Sequence, residues 1–288
     1  MEDVIVYGVL RGGIYALAAF GFSLVLGVIG IVNFAHGTLV VFGGLLTHYL
    51  STRIGLPYIL ALFFGAAGTG LLAAAIQRFF VARTFKLEPL MVLVQTFGIA
   101  TVITELGIRY WGSEERILRI DAGLPPGFFL GETFVPSFDF VLFIVSLVSA
   151  VALYVLLQKT EFGRAVRACR DARQSAQLNG INLKATFEKT MFVSGAWAGL
   201  AGGMFVTLSP LAPYMDFHWT IDSFLVIVIG GLGSMVGALV GGLVFGVLSF
   251  AASYYAPTIA PAITFSVLLL FLLFRPQGLF GSASVARK

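Results

Sequence analysis

Charge is scarce in this sequence: 11% of its 288 residues are Asp, Glu, Lys or Arg, whereas 58% are hydrophobic. A soluble domain of average composition carries about 25% charged residues to face water. With a mean hydropathy of +0.96, the composition excludes a typical soluble enzyme, a nucleic-acid binder and a disordered chain. The single cysteine, Cys169, rules out an internal disulfide and a Cys/His metal centre. No G-x-x-x-x-G-K-[ST] phosphate loop occurs, so nucleotide is not bound by that device; without a G-x-S-x-G elbow or an H-E-x-x-H pair, an intramembrane hydrolase is not expected either. The start, Met1-Glu2-Asp3, lacks the positive stretch of a cleaved signal peptide. Polar stretches never exceed about 30 residues, which leaves no room for a separate soluble domain. The expectation is one all-α transmembrane domain over 1–288, with a cytoplasmic loop at 159–188.

What the sequence has instead is apolar runs of membrane-crossing length. A hydrocarbon core of roughly 30 Å needs about 20 apolar helical residues. Eight spans are expected, at 5–31, 36–51, 56–79, 89–110, 139–158, 189–209, 235–254 and 257–274. A shorter run at 221–232 ends in Gly230-Gly231-Leu232-Gly233-Ser234 and reads as part of a broken or re-entrant element. Segments 78–88, 159–189 and 275–288 hold three, seven and three of the 18 lysines and arginines. That bias puts the 159–189 loop and the C-terminus in the cytoplasm and the N-terminus outside. Acidic residues, Asp216 and Asp222 among them, collect on the other side, and Tyr110, Trp111, Tyr214, Trp219, Tyr254 and Tyr255 suit the outer interface.

Three groups of residues stand out against this background. Gly195, Gly199 and Gly203, and again Gly233, Gly237 and Gly241, recur every fourth position, a spacing that lets helix backbones pack closely. In 161–182, Ala165, Ala168, Cys169, Ala172 and Ala176 share one helical face while Arg167, Arg170 and Arg173 spread over the other. Side chains this small suit docking into a groove of another protein better than burial in a membrane surface. Third, intramembrane polar residues mark a candidate translocation path: Arg11, the Asn33-Phe34-Ala35-His36-Gly37 turn, Gln95 and Thr96. For Arg11, snorkelling to the outer headgroups is the competing reading, and for His36 a place at the cytoplasmic interface. Glu105 and Arg109, spaced i, i+4 with the acid first, read as a helical ion pair. Glu105 is the one carboxylate well inside an expected span, too few for a proton- or sodium-coupled pump, so another chain is expected to supply the energy.

These segments together resemble the permease subunits of Liv-type branched-chain amino-acid ABC importers. The resemblance rests on Gly12-Gly13-Ile14-Tyr15-Ala16-Leu17, Val32-Asn33-Phe34-Ala35-His36-Gly37, Gly163-Arg164-Ala165-Val166-Arg167-Ala168 with Asn179-Gly180-Ile181-Asn182, the run Gly230 to Ala238, and the tail Phe274 to Gly281. It implies a multi-pass protein of a bacterial or archaeal inner membrane. Its partners would be a second homologous permease, two cytoplasmic ATPases and an external solute-binding protein. ATP and Mg would sit on the ATPases, and no cofactor on this chain. Arg164, Arg167, Ala168, Asp171, Ala172, Gly180 and Asn182 then correspond to the loop that couples to an ATPase. The implied load is a branched-chain or other hydrophobic amino acid. The alternative is an ion-coupled secondary transporter of a small zwitterionic or amide solute.

Overall fold

The computed structural model describes residues 1–84, 89–121, 123–275 and 277–280. The helices are α1 (Glu2–Ile29), α2 (His36–Thr52), α3 (Tyr58–Ile76), α4 (Ala82–Thr84), α5 (Pro89–Trp111), α6 (Ser137–Lys159), α7 (Glu161–Asp171), α8 (Arg173–Leu178), α9 (Leu183–Leu208), α10 (Asp216–Gly230), α11 (Met235–Tyr255) and α12 (Ala260–Phe274). A five-residue π-helical segment, Gln77–Val81, joins α3 to α4. Among the described residues, seven helical stretches are long and apolar enough to cross a membrane, and the 17-residue α2 falls just short. The protein is a polytopic helical bundle, as its composition demands. A small hairpin, β1 (Gly127–Leu130) with β2 (Thr133–Pro136), is added between α5 and α6, Leu130 pairing with Thr133 across the turn.

Capping residues move the helix ends from where hydropathy alone puts them. Helix α9 starts six residues before the expected span because Asn182 Oδ1 accepts from Ala185 N at 3.1 Å. This brings Glu188 inside the helix. Asp222 likewise falls within α10 and not in an outer loop. Glu105 is therefore not the lone carboxylate within a helix of the bundle.

Helix α10 has 15 residues, about 22 Å at 1.5 Å per residue, too short to cross. It ends in a turn where Gly231 and Gly233 take φ of 101° and 78°, and Ser234 Oγ then caps α11 by accepting from Gly237 N at 3.0 Å. The last carbonyls of α10 are not left orphaned. Leu279 N donates to Ile229 O at 2.7 Å and Phe280 N to Gly230 O at 2.9 Å. The tail motif of the sequence thus clasps the end of α10; Pro276 and Gly281 of that motif lie outside the described residues.

The chain divides into two compact units. One draws on Met1–Ser23, Ile120–Ala150 and the chain from Asp222 on; the other on Leu24–Arg119 and Val151–Ile221. In the first, α11 packs on α1 through glycines: a Cβ on Gly242 would lie 2.6 Å from Ala16 Cα, and one on Gly246 2.4 Å from Gly12 Cα. In the second, α2, α3 and α9 form a layer packed backbone to backbone. A Cβ on Gly43 would lie 2.2 Å from Gly199 Cα, one on Gly202 1.8 Å from Val40 O, and one on Gly195 2.9 Å from Thr69 O. Gly203 meets Thr47 and Leu62 in the same layer. Gly237 and Gly241 press on α10 at Gly230 and Val226, whereas Gly233, in the turn, faces open space.

Candidate functional site: an acidic, aromatic-walled cavity

The turn Asn33–Gly37 is shaped by its own side chains. Asn33 Oδ1 accepts from Ala35 N at 3.1 Å and Asn33 O from His36 N at 3.1 Å, which launches α2. Asn33 and His36 are buried. Phe34 N donates to Thr96 Oγ1 at 3.2 Å, and Thr96 Oγ1 donates in turn to Leu93 O at 3.0 Å, so this hydroxyl pins the turn to α5. Gly37 N donates to Thr220 Oγ1 at 3.0 Å. Only glycine fits there, since a Cβ would lie 2.0 Å from Asp216 O and 2.4 Å from Thr220 N. The first turns of α2 and α10 are thereby held almost in backbone contact.

That contact fixes Asp216. Its Oδ2 accepts from Thr38 Oγ1 at 3.2 Å and from Thr104 Oγ1 at 2.7 Å, so one carboxylate oxygen gathers hydroxyls from α2 and α5. Beside it opens a cavity of about 390 Å³ walled by Phe34, Phe97, Phe217 and Ala100, with Thr101, Thr104, Glu105 and Asp216 as its polar groups. Phe34 and Phe97 meet edge to face, ring centroids 6.3 Å apart. The volume falls in the range of small-molecule sites, roughly 300–1,000 Å³. Two carboxylates and no lysine or arginine line it, so its field favours a cationic group and disfavours an anion.

The expected Glu105–Arg109 pair is not formed. Ion pairs within 4.0 Å among the described residues are Arg164–Glu161 and Arg170–Asp171, and Glu105 lines the cavity instead. The groups that sequence reasoning missed here are Phe34 as a wall, Phe97, Thr101, Thr104, Asp216 and Phe217. Their signal was the i, i+4 series Phe97, Thr101, Glu105, which puts an aromatic, a hydroxyl and an acid on one face of α5.

Residues 4–275 match the family described as branched-chain amino acid transport system, permease component. The chain belongs to that family of permeases. Among its relatives, the high-affinity branched-chain amino acid transport system permease protein LivH of Salmonella typhimurium is 29% identical, covering 97% of this chain and 95% of the relative. The corresponding protein BraD of Pseudomonas aeruginosa is 28% identical over 98% and 96%. A fructose import permease protein of Rhizobium meliloti, FrcC, is 29% identical over 80% of this chain and 68% of its own length. No solved structure shows a significant match.

Of the marked residues in this unit, Asn33, His36, Gly37, Gln95 and Thr96 do not line the cavity; Phe34 of the turn does. Gln95 Oε1 accepts from Thr84 Oγ1 at 2.6 Å, tying α5 to α4. Arg11 belongs to the other unit, where its guanidinium lies 5.1 Å from the centre of the Phe250 ring.

The segment 161–182 is not one helix. Ala172, at φ −156° and ψ 95°, breaks it into α7 and α8. The side of α7–α8 that packs on the permease itself is Gly163, Val166, Cys169 and Ala176, so Cys169 and Ala176 of the face expected to dock on another protein are turned onto this chain instead, and Ala172 is exposed at the break. Arg164 pairs with Glu161 at 3.2 Å, and Arg170 with Asp171 at 4.0 Å. An Arg167 amino group donates to the Leu157 carbonyl, Ala168 is half-buried, and Asn182 caps α9. Gly180 takes φ of 83° with open space around it, and Leu178 is 88% exposed. Arg173 is the anchor: its guanidinium donates to Ile29 O at 2.6 Å and Val28 O at 3.3 Å, and lies 5.9 Å from the centre of the Phe187 ring.

Proposed function

We propose that this permease is the membrane-spanning subunit of an ATP-driven importer, and that its cavity beside Asp216 receives a branched-chain or other hydrophobic amino acid during transport. The observation that carries the reading is the union, in one cavity, of three phenylalanine walls with two carboxylates and no cation. The ammonium of a zwitterion meets Asp216 and Glu105, and its apolar side chain meets Phe34, Phe97 and Phe217. Thr38 and Thr104 hold Asp216 Oδ2, which leaves the carboxylate oriented before the solute arrives. The names of LivH and BraD support this choice of load.

In this reading α7 and α8 form the coupling element. Arg164, Arg167, Ala168, Asp171, Ala172, Gly180 and Asn182 present or shape the surface that an ATPase grips, with exposed Leu178 as the apolar contact and Arg173 relaying movement to the end of α1. A second permease, two ATPases carrying ATP and Mg, and a solute-binding protein complete the assembly in an inner membrane, with the C-terminus cytoplasmic.

The test is import of radiolabelled leucine and of fructose by the assembled transporter in vesicles. Asp216→Asn is expected to cut leucine import at least tenfold while the ATPases still co-purify. Full leucine import by D216N/E105Q, or import of fructose in place of leucine by the wild type, overturns the assignment.

A further inference from the structure

A second cavity lies at the end of α3 where lysine and arginine collect. It measures about 430 Å³ and is bounded by Arg78, Arg83, Lys184, Gln77, Phe79 and Phe187. The π-helical segment builds it: Gln77 and Val81 turn inward, while Arg78, Phe79 and Phe80 stay outside. Such single π turns inside α-helices recur at functional sites. Its three cations make no ion pair within 4.0 Å among the described residues. Gln77 is 1% exposed and lines the cavity, yet its Oε1 accepts no hydrogen bond among the described residues. A buried amide left in that condition is costly unless a ligand pairs with it.

We infer that this cavity binds the phosphate of an anionic phospholipid headgroup, with the headgroup hydroxyl on Gln77. Three observations converge on that chemistry. Arg78, Arg83 and Lys184 supply positive charge where a phosphodiester needs it, and arginine forks match phosphate oxygens. The Gln77 amide calls for a group that donates, and a glycerol hydroxyl does so, whereas a bare phosphate dianion offers only acceptors. Phe79 and Phe80, each about half exposed, put aromatic surface beside the cations at the end of a span, where acyl chains give way to headgroups. The basic end of the bundle is also the side expected to face the inner leaflet, where anionic lipid is drawn to lysine and arginine. The lipid would bridge α3 and the first turns of α9, next to the Phe187 ring on which Arg173 rests, and so brace the root of α7–α8.

The experiment is native mass spectrometry of the delipidated permease titrated with phosphatidylglycerol in detergent. Wild type is expected to retain one tightly held phosphatidylglycerol. Affinity should fall about fivefold for each cation removed, in K184Q and more so in R78Q/R83Q. Lys159→Gln, which removes an exposed charge outside the cavity, should leave it unchanged. Gln77→Leu, which removes the unpaired amide, should lose the preference for phosphatidylglycerol over phosphatidic acid. Equal retention by K159Q, K184Q and R78Q/R83Q overturns the site. Displacement of the lipid by inorganic phosphate at matched concentration overturns the lipid as its ligand. Should R78Q/R83Q fail to fold, the exposed Lys184 position reads the same question alone.

Discussion

Thr104 Oγ1 donates to Asp216 Oδ2 at 2.7 Å, which ties the middle of α5 to the first residue of α10. Asp216 opens a helix and lines the cavity, so the bond orients the acid proposed to receive the solute. Thr104→Val keeps the shape and removes the donor. Hydrogen bonds to charged groups contribute up to about 3 kcal/mol when buried; for this half-buried acid about 1 kcal/mol is expected, a fivefold rise in the Michaelis constant for import. Thr104→Ser should restore it. An unchanged constant in T104V would show that Asp216 needs no such support.

The backbone packing of α2 on α9 leaves no space at Gly202, where a Cβ would lie 1.8 Å from Val40 O. Gly98, on α5, has nothing within 4 Å of its Cβ position apart from its chain neighbours and its own helix backbone. Gly202→Ala should destabilise the permease by about 1–3 kcal/mol or more through overpacking. Gly98→Ala should be neutral or stabilise by up to about 1 kcal/mol through helix propensity. Thermal midpoints in detergent compare the two.

The tail clasp depends on Gly278, whose φ is 73° and whose Cβ would lie 2.5 Å from Val228 O. Gly278→Ala should cost at least about 1–2 kcal/mol from the left-handed backbone alone. It should also raise protease sensitivity in the segment after α12. A tail as resistant as wild type would show that the clasp holds without that conformation.

Cys169 is buried against the permease, and that burial pushes its thiol above the ordinary value, outweighing the opposing effects of Arg173 and of a hydrogen bond with Thr186. A raised value means less thiolate at neutral pH, and the thiolate is the reactive form. At pH 7 the native protein should therefore react slowly with a maleimide, and quickly once unfolded. In C169A/A172C the thiol stands at the exposed break between α7 and α8 and should label fast. Protection of that thiol by the bound ATPase is the expected mark of docking there; undiminished labelling in the assembled transporter would place the ATPase elsewhere.

Much of the bundle was legible because lipid imposes a simple rule: apolar runs of about 20 residues become helices. The ends were less so, because Asn182 and Ser234 cap through single side-chain bonds that hydropathy does not register. Beside the cavity, the Asn33–Gly37 turn announced itself by composition, and the structure gathers Asn33, His36, Gly37 and Thr96 at one junction, from which Phe34 alone reaches the cavity wall. Asp216 did not. It is separated from Thr38 by 178 positions, and no local pattern reveals that an acid among apparent outer-loop residues meets the first turn of α2. Glu105 was misread for a related reason: its i, i+4 spacing to Arg109 permits an ion pair, but the cavity offered the side chain another direction.

The clasp of Leu279 and Phe280 on α10 also bears on how the protein is made. The carbonyls of Ile229 and Gly230 find those donors only in residues translated about 50 positions later, a delay of several seconds at ribosomal speed. Until then the insertion machinery or transient water must tolerate an unfinished helix end.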